Sequence, residues 1–326
     1  MRKLPAIFFL FFLLTFSIGS YSVYAEESGP SNDGSLNGLF APINPGHMIG
    51  SDSAAPDLFT GTMKYSIPIE VPAGRKGMQP KFALTYRSAQ QNGWLGLGWE
   101  LEVGSIERST KNGVDFNGDS YVLRMNGAGI ELINLNGEYR AKIESGFLRI
   151  KAYTDSYGLP TSWEVTDKSG VRYFFGQTSG SRQNDPADLN KVFKWCLDRV
   201  EDANGNYMRF SYFKDAGQIY LDQIDYTGNG TVTPRNTVRF VRDDGSRADA
   251  PMMYMTNFGV KTAYRLERID VTADGNPVRS YKTSYTVSAI TSQSLLSSVQ
   301  QVGKDGVSAL PAVRMEYSPE STQFTS

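Results

Sequence analysis

Apolar and polar side chains alternate along Thr62-Met63-Lys64-Tyr65-Ser66-Ile67-Pro68-Ile69-Glu70-Val71. This period of two is typical of a β-strand with one buried face and one face in water. Pro68 has no amide hydrogen to donate, which places the strand at a sheet edge or turns that position outward. After a turn at 72–77 the alternation resumes at 81–87. The two runs predict a β-hairpin with a long loop.

Similar hairpins recur downstream, each made of a strand, a polar turn and a returning strand rich in aromatic residues. The paired runs are 163–165 with 171–175, 195–200 with 207–212, 221–226 with 238–240, 266–269 with 281–285, and 296–299 with 313–317. Their spacing is irregular, so the chain is not a solenoid with a fixed period. Helical periodicity is almost absent, and each hairpin has one apolar face to cover. We therefore predict an all-β fold of successive antiparallel hairpins that form curved, stacked sheets with little helix.

The N-terminus has the pattern of a secretory signal peptide. Arg2 and Lys3 precede an apolar run at 6–16, and Val23-Tyr24-Ala25 supplies the small residues that a signal peptidase recognises. We predict cleavage after Ala25 and a secreted, extracellular protein; the alternative is an uncleaved anchor. No later stretch is long and apolar enough to span a bilayer, which needs about 20 residues.

Residues 26–56 are rich in Gly, Ser, Asn and Pro and predict a flexible leader. The only histidine, His47, lies in this leader, and the only cysteine, Cys196, lies in an apolar strand. A catalytic base beside a nucleophile, an internal disulfide and a four-ligand zinc site are therefore not expected. Formal net charge is −1, with 33 basic and 34 acidic residues, so no basic field favours nucleic acid or anionic lipid. Proteins or glycans are the expected partners.

The segment Gly93-Trp94-Leu95-Gly96-Leu97-Gly98-Trp99 holds two of the four tryptophans of the chain. Its glycines permit close backbone approach or unusual dihedral angles, and each tryptophan has a large ring to bury. A phosphate-binding loop is excluded, because the spacing fits neither G-x-G-x-x-G nor a Walker pattern and no helix start follows. The residues that we predict to form a structural motif here are Gly93, Trp94, Gly96, Gly98 and Trp99.

A second structural motif is predicted in Asp202-Ala203-Asn204-Gly205-Asn206, where the Asn-Gly step supplies the positive φ angles of a tight turn. Its motif residues are Asn204, Gly205 and Asn206. This loop and Asp115-Phe116-Asn117-Gly118-Asp119 also present the clustered oxygen atoms that weak calcium binding would need. Neither has the glutamate of a calcium-binding loop, and Asx-rich turns give the same residues for local reasons. We predict no metal and no cofactor.

Five stretches of the chain resemble one protein family. They are Tyr65-Ser66-Ile67-Pro68-Ile69, the turn at 72–80, Leu84-Thr85-Tyr86, the segment at 93–101, and Ile106-Glu107-Arg108. Together they resemble the N-terminal domain of the SpvB family, a Salmonella virulence plasmid B protein domain shared with the B components of insecticidal Tc toxins. The Asp-x-x-Gly-Asn turns before tyrosine-rich strands are similar to RHS or YD-repeat hairpins. The resemblance extends from about residue 61 to about residue 317.

The resemblance implies that residues 57–326 form one SpvB-like β domain that contributes to a shell-like wall and continues into further repeats in a longer protein. It implies a non-enzymatic scaffold of a secreted toxin-type or RHS-repeat protein. Such a scaffold helps to encapsulate or deliver a C-terminal or partner effector, with delivery into the host cytoplasm. The implied partner is an RHS/YD-repeat or Tc toxin C-like protein, in cis or in trans.

The ADP-ribosyltransferase activity of the family belongs to a C-terminal domain and is not expected here. The chain has no Ser-Thr-Ser stretch, and Glu100-Leu101-Glu102 falls too early to be the Glu-x-Glu pair of that enzyme. These two glutamates are predicted to be outward positions of a strand. A secreted glycan-binding or adhesion module with exposed Tyr and Trp is the alternative function. A β-fold glycoside hydrolase with paired carboxylates is a third.

Overall fold

The computed structural model describes residues 14–15, 54–56, 63–125, 127–144 and 146–317. The predicted cleavage site after Ala25 and His47 lie outside the described residues, as do most of the predicted signal peptide and leader. Ala54–Pro56, the last three residues of the predicted leader, form a strand that pairs within a sheet.

Strands make up nearly all of the regular structure. The only helical element in the described residues is a 3-10 turn at Ser179–Ser181. In chain order the strands are β1 (Leu14–Thr15), β2 (Ala54–Pro56), β3 (Met63–Pro68), β4 (Ala83–Arg87), β5 (Trp99–Glu100), β6 (Ser105–Arg108), β7 (Tyr121–Met125), β8 (Ala128–Leu135), β9 (Glu138–Ala141), β10 (Arg149–Thr154), β11 (Pro160–Thr166), β12 (Arg172–Phe175), β13 (Arg182–Asp185), β14 (Asp188–Glu201), β15 (Asn206–Asp215), β16 (Gln218–Asn229), β17 (Asn236–Arg242), β18 (Met252–Met253), β19 (Val260–Lys261), β20 (Leu266–Ala273), β21 (Asn276–Val287), β22 (Ser294–Gly303), β23 (Val313–Arg314) and β24 (Glu316–Tyr317). All pairings between these strands are antiparallel, so the predicted all-β fold of antiparallel hairpins is confirmed.

Eight strands of the largest sheet close into a ring. Their order is β12-β11-β10-β9-β8-β7-β6-β14, and β12 pairs back onto β14 to complete the circle. Alternate side chains of each strand point into the ring. Tyr121, Trp163 and Trp195 fill it, are at most 1% exposed, and meet edge to face, with the centroids of Tyr121 and Trp163 4.9 Å apart. The ring is therefore a packed aromatic core.

The rest of the largest sheet is an open arm that leaves the ring through β14. Residues 194–196 of β14 pair with β6 of the ring, and residues 199–201 pair with β15, so one strand belongs to both parts. The arm continues in the order β15-β16-β17-β20-β21-β22-β23. The hairpins predicted from the sequence are confirmed as β11–β12, β14–β15, β16–β17, β20–β21 and β22–β23.

A small sheet of order β2-β3-β4-β5 covers one face of the arm. The ring centroids of Phe82 and Phe240 lie 5.5 Å apart, and the Tyr226 hydroxyl donates to the Pro72 carbonyl oxygen at 3.0 Å. β3 lies between β2 and β4 and not at a sheet edge, so the second predicted placement applies, in which the Pro68 position turns away from a partner strand. Pro68 lies beyond the residues that β2 pairs, and its missing amide therefore leaves no ladder bond unmade.

Candidate functional site

The loop at 88–98, between β4 and β5, carries the glycine–tryptophan motif and presses against the arm. Gly96 has a φ of +84°, and a Cβ built on it would lie 2.5 Å from the carbonyl oxygen of Ser294 in β22. The amide of Leu97 donates to that same oxygen at 2.9 Å. Gly93 and Gly96 exchange backbone hydrogen bonds of 3.2 and 3.1 Å, which close the loop. Glycine at position 96 is thus required both by its dihedral angle and by a backbone contact.

The two tryptophans of the motif pack into different parts of the core. Trp99 opens β5, is 1% exposed, and lies edge-on to Tyr65 and tilted against Tyr86 at centroid distances of 6.2 and 5.6 Å. Trp94 is half-buried, and its carbonyl oxygen accepts the amide of Leu266 at 2.9 Å. A Cβ on Gly98 would meet the Tyr86 ring at 2.4 Å. The motif therefore packs side chains and backbone against the arm and shows no open ligand cradle.

A buried ion pair lies against the same loop. The side chain of Arg247 is 0% exposed and donates to the Asp249 carboxylate from Nε at 3.0 Å and from Nη2 at 2.8 Å. It also donates to the carbonyl oxygen of Gly93 at 2.7 Å and to Oδ1 of Asn92 at 2.9 Å. The side-chain amide of Asn92 in turn donates to the Asp249 carboxylate at 2.9 Å, so the three side chains form a closed hydrogen-bond network. A buried ion pair stabilises a fold only when its other donors and acceptors are satisfied, as they are here.

Asp249 also fixes the start of β22. Its carboxylate accepts the amide and the hydroxyl of Ser294 at 2.6 and 2.8 Å. Burial alone would raise the pKa of Asp249, but the hydrogen bonds from Arg247, Ser294 and Asn92 outweigh burial and hold this pKa well below its usual value. The carboxylate is charged at neutral pH, and its oxygens are occupied. We call Asn92–Trp99 together with Arg247, Asp249 and Ser294 the clasp.

Sequence reasoning found the glycines and tryptophans of the clasp but missed its polar half. Arg247 and Asp249 lie in a polar loop without a recognisable pattern, and Ser294 lies in a serine-rich stretch. The one available signal was the position of Asn92 directly before the motif.

The second motif, Asn204-Gly205-Asn206, lies at the tip of the β14–β15 hairpin. The Asp202 carboxylate accepts the amides of Asn204 and Asn206 at 2.8 and 2.9 Å and the side-chain amide of Asn206 at 2.7 Å. Asn206 in turn accepts the side chain of Asn229 at 2.9 Å, which ties this turn to the end of β16. The oxygens of Asp202 thus serve an Asx turn. In the described residues, no group of three or more His, Cys, Asp or Glu is arranged to hold a metal ion.

Arg108 of the stretch Ile106-Glu107-Arg108 is buried at one end of the ring. Its Nε donates to the carbonyl oxygen of Val192 at 2.9 Å, and its Nη1 donates to those of Asp115 and Gly118 at 2.9 and 3.1 Å. The guanidinium carbon also lies 5.6 Å from the centroid of the Trp195 ring. Arg108 thereby holds the Asx-rich loop at 115–119 against the aromatic core.

Glu107 points to the other face of β6 and joins it to its neighbours. Lys194 lies 3.2 Å from its carboxylate, and Arg124 donates to it as well. Burial would raise the pKa of Glu107, but the two cations outweigh burial and lower it. Glu102 lies outside any strand and is half-buried, so its prediction as an outward strand position is wrong. Burial, assisted by the charge of Glu100, raises the pKa of Glu102.

Two cavities among the described residues are lined by acids that already have partners. Glu138 and Glu144 line a cavity of about 590 Å³ between β9 and β10. Glu138 pairs with Arg140 at 3.1 Å, and the Glu144 carboxylate accepts the backbone amides of 146 and 147. A cavity of about 470 Å³ over the arm is lined by acids that each pair with an arginine: Asp222 with Arg242, Asp243 with Arg265, and Asp270 with Arg268. These acids are structural partners of their neighbours.

The tryptophans do not form an exposed platform for sugars. Trp99, Trp163 and Trp195 are at most 1% exposed, and Trp94 is half-buried. The exposed aromatic side chains include Tyr157, at 88%. Across the described ranges, no helix is long and apolar enough to cross a membrane.

The sequence matches the family described as Salmonella virulence plasmid 65kDa B protein over residues 57–138 and 129–243, more than half of the chain. Curated relatives are the mono(ADP-ribosyl)transferases SpvB of Salmonella choleraesuis strain SC-B67 and of Salmonella typhimurium, each 24% identical over 205 residues. The alignment takes in 56% of this chain and 34% of each relative. The chain therefore spans about a third of the length of the curated relatives it matches.

The fold is similar to the structure of the N-terminal domain of effector protein SpvB from Salmonella typhimurium strain LT2. The TM-score is 0.62 at 19% identity, over 73% of this chain and 98% of that one. It is also similar to the crystal structure of TcdB2-TccC3, with a TM-score of 0.66 at 22% identity, over 90% of this chain and 17% of that one. The same fold thus occurs in an N-terminal domain and as a small part of a much longer chain.

Proposed function

Because the chain belongs to the SpvB family, that of the Salmonella virulence plasmid 65kDa B protein, we propose that it is a non-enzymatic scaffold of a secreted toxin-type protein. In this function it helps to enclose or deliver an effector carried by the same polypeptide or by a partner. The observation that supports the proposal is structural similarity: this fold covers 98% of the solved SpvB N-terminal domain and 17% of a TcdB2-TccC3 chain. The transferase activity of the relatives is not assigned to this chain, which spans 34% of their length.

The open arm supports a scaffold function because its sheet ends in an edge strand. β23, the last strand of the arm, is two residues long, and among the described residues it pairs with β22 on one side only. A strand at a sheet edge has unpaired backbone groups, which are a template for a strand of another chain. Growth of a larger sheet from this edge is the physical basis of the proposal.

The partner that we propose is an RHS/YD-repeat or Tc toxin C-like protein, in cis or in trans, and the compartment is extracellular. Intact mass of the exported protein tests the compartment. The expected product begins at Glu26, after cleavage behind Ala25. A product that retains Met1 to Ala25 would contradict the secreted state.

Co-expression with an RHS-type chain tests the scaffold itself, with light scattering as the measurement. Alone, the chain should self-associate through its open edge; with the partner, it should form one complex of defined mass. An unrelated secreted all-β protein is the control and should leave the self-association unchanged. A monodisperse monomer that ignores the RHS-type chain counts against the scaffold.

A glycan panel decides between the scaffold and its alternatives. Binding without turnover that is lost in Tyr157→Ala would favour the adhesion module. Turnover that is lost on a single acid substitution in one of the two large cavities would favour the hydrolase. The scaffold predicts neither result.

A further inference from the structure

The arm has one face under the small sheet and one face in solvent. Val238 and Val271 pair across β17 and β20 and are buried on the covered side. The alternate residues Arg239 and Asp270 pair across the same two strands, so their side chains lie on the opposite face. This solvent face extends across the arm from β15 to β23.

Four cations on the solvent face are exposed and have no carboxylate partner among the described residues. They are Arg209 on β15, Arg239 on β17, Lys282 on β21 and Arg314 on β23. None of them has a carboxylate oxygen of the described residues within 4.0 Å. All four charges are therefore available to a partner.

The acids of this face are engaged by other groups. Asp225, opposite Arg209 on β16, accepts hydrogen bonds from Gln223 at 2.9 Å and from Thr237 at 3.0 Å. Asp270 is bound by Arg268, with a shortest distance of 2.8 Å. The outward positions that the register pairs hold five cations, the four above and Arg268, against these two acids, an excess of three positive charges. Asp222 and Asp243 line the cavity beside Arg239, but each is paired with an arginine and leaves this excess unchanged. The whole chain, by contrast, has a net charge of −1.

By strand register, the four cations lie on one diagonal of the sheet. Arg209 is level with Thr237, one outward position before Arg239. Lys282 is level with Val241, one position after Arg239, and Arg314 is level with Ser284, one position after Lys282. Each step thus crosses two strands, about 9.6 Å, and advances one outward position, about 6.7 Å. Successive Cα atoms of the row are therefore about 12 Å apart.

We propose that this row binds an extended, acidic segment of a polypeptide with a carboxylate at every fourth residue. Four residues of extended chain span about 13 Å and return the side chain to the same face, which matches the spacing of the row. A nucleic acid strand fits less well, because its continuous line of phosphates would lie against Asp225 and Asp270 between the cations. The inference rests on the proposed scaffold function for the source of the segment, which is the effector or the partner chain.

A synthetic peptide of about 13 residues, with four glutamates at every fourth position and neutral polar residues between them, is the direct probe. The control peptide has the same composition with its glutamates contiguous. Fluorescence anisotropy should show that the full chain binds the spaced peptide about tenfold more tightly than the control, with an affinity that falls as salt is added. The variant R209Q/R239Q/K282Q/R314Q should lose this preference. The matched variant K76Q/R149Q/K261Q/K304Q removes four exposed cations from elsewhere and should retain it.

Three results would overturn the inference: no binding of the spaced peptide, equal binding of both peptides, or equal loss in both quadruple variants. Tighter binding of a single-stranded oligonucleotide of equal charge would assign the row to nucleic acid. Failure here is separable from failure of the scaffold. If the protein assembles with an RHS-type partner but does not bind the peptide, only the binding function of the cation row is disproved. If it binds the peptide but does not assemble with that partner, only the scaffold function is disproved.

Discussion

The indole Nε1 of Trp99 donates a hydrogen bond to the hydroxyl of Tyr317 at 3.0 Å, across 218 positions of sequence. The Tyr317 hydroxyl donates in turn to the carbonyl oxygen of Leu296 in β22 at 2.8 Å. One buried tryptophan of the clasp is thus joined to the far end of the described chain. The small sheet and the arm should therefore unfold together.

The Trp99→Ala variant should lower the free energy of unfolding by about 3–5 kcal/mol, because a fully buried ring is replaced by a cavity. Urea unfolding followed by circular dichroism measures the loss. The Trp94→Ala variant is the comparison and should cost less, since that ring is half-buried. Native stability in Trp99→Ala with loss of a binding activity would instead identify a ligand site.

Gly96→Ala should destabilise the protein more than Gly77→Ala does. Both residues have nearly the same backbone conformation, with φ of +84° and +82°, and both substitutions carry about 1–2 kcal/mol of left-handed strain. Only at Gly96 would the new Cβ meet a backbone oxygen, that of Ser294, whereas no atom lies within 4 Å at Gly77. The extra cost should be about 1–3 kcal/mol in the same urea experiment. Equal costs would mean that the loop moves away from β22 freely.

Trp163→Phe should cost less than Trp195→Phe, although both rings are 0% exposed inside the same aromatic core. Trp195 donates its Nε1 to the carbonyl oxygen of Thr161 at 3.1 Å, whereas the buried Nε1 of Trp163 has no hydrogen-bond partner in the described residues. Removing an unsatisfied donor recovers its desolvation cost, so the two variants should differ by about 1 kcal/mol. Thermal or urea unfolding of the pair checks this order.

Asp249→Asn should cost about 3–5 kcal/mol at neutral pH, because it leaves Arg247 buried without its carboxylate. The folded pKa of Asp249 is depressed below 3.8, so the stability that it contributes is fully present above this value and is lost as the pH falls through the folded pKa. The difference in the free energy of unfolding between wild type and variant should therefore be largest at neutral pH and should decrease below about pH 4. The Asp215→Asn variant, at a hairpin tip, is the control for removing a carboxylate that has no buried arginine partner. A difference in unfolding free energy that stays constant down to pH 2 would contradict the role of Asp249 as the charged partner of Arg247.

Cys196 should resist thiol reagents in the folded protein. Burial raises the pKa of its thiol to about 12, so neither access nor thiolate is available at neutral pH. Labelling with a chromogenic disulfide should be complete in urea and negligible under native conditions. Rapid labelling of the native protein would show that β14 opens locally.

Local patterns carried the sequence predictions that succeeded. The alternation around Tyr65 and Ile67 predicts a strand because buried and exposed faces repeat every two residues. The Asn-Gly step at Gly205 predicts a turn because few other residues adopt its φ of +76°. These signals act within a few residues, and the hairpins follow from them.

The closure of the eight-strand ring could not be predicted from local sequence patterns. Nothing near Phe175 indicates that β12 returns to β14, since register depends on which strands meet after folding. The pairing of Arg247 with Asp249 beneath Gly93 is equally hidden, because a polar loop residue has the same letter whether it is buried or exposed. Glu102 was wrongly predicted as an outward strand position because its sequence does not show that it is half-buried outside a strand.

The membership of β14 in both ring and arm has a mechanical consequence. Neighbours in sequence are neighbours in space along most of the arm, so a pull on β23 would unzip strands one at a time, each against a single ladder of hydrogen bonds. β14 differs from the arm strands because it pairs with β6, β12 and β13 of the sheet as well as with β15. Its removal would break the ring at every one of these ladders together. Under tension the arm should yield strand by strand, and the ring should hold until several ladders of β14 break in one event.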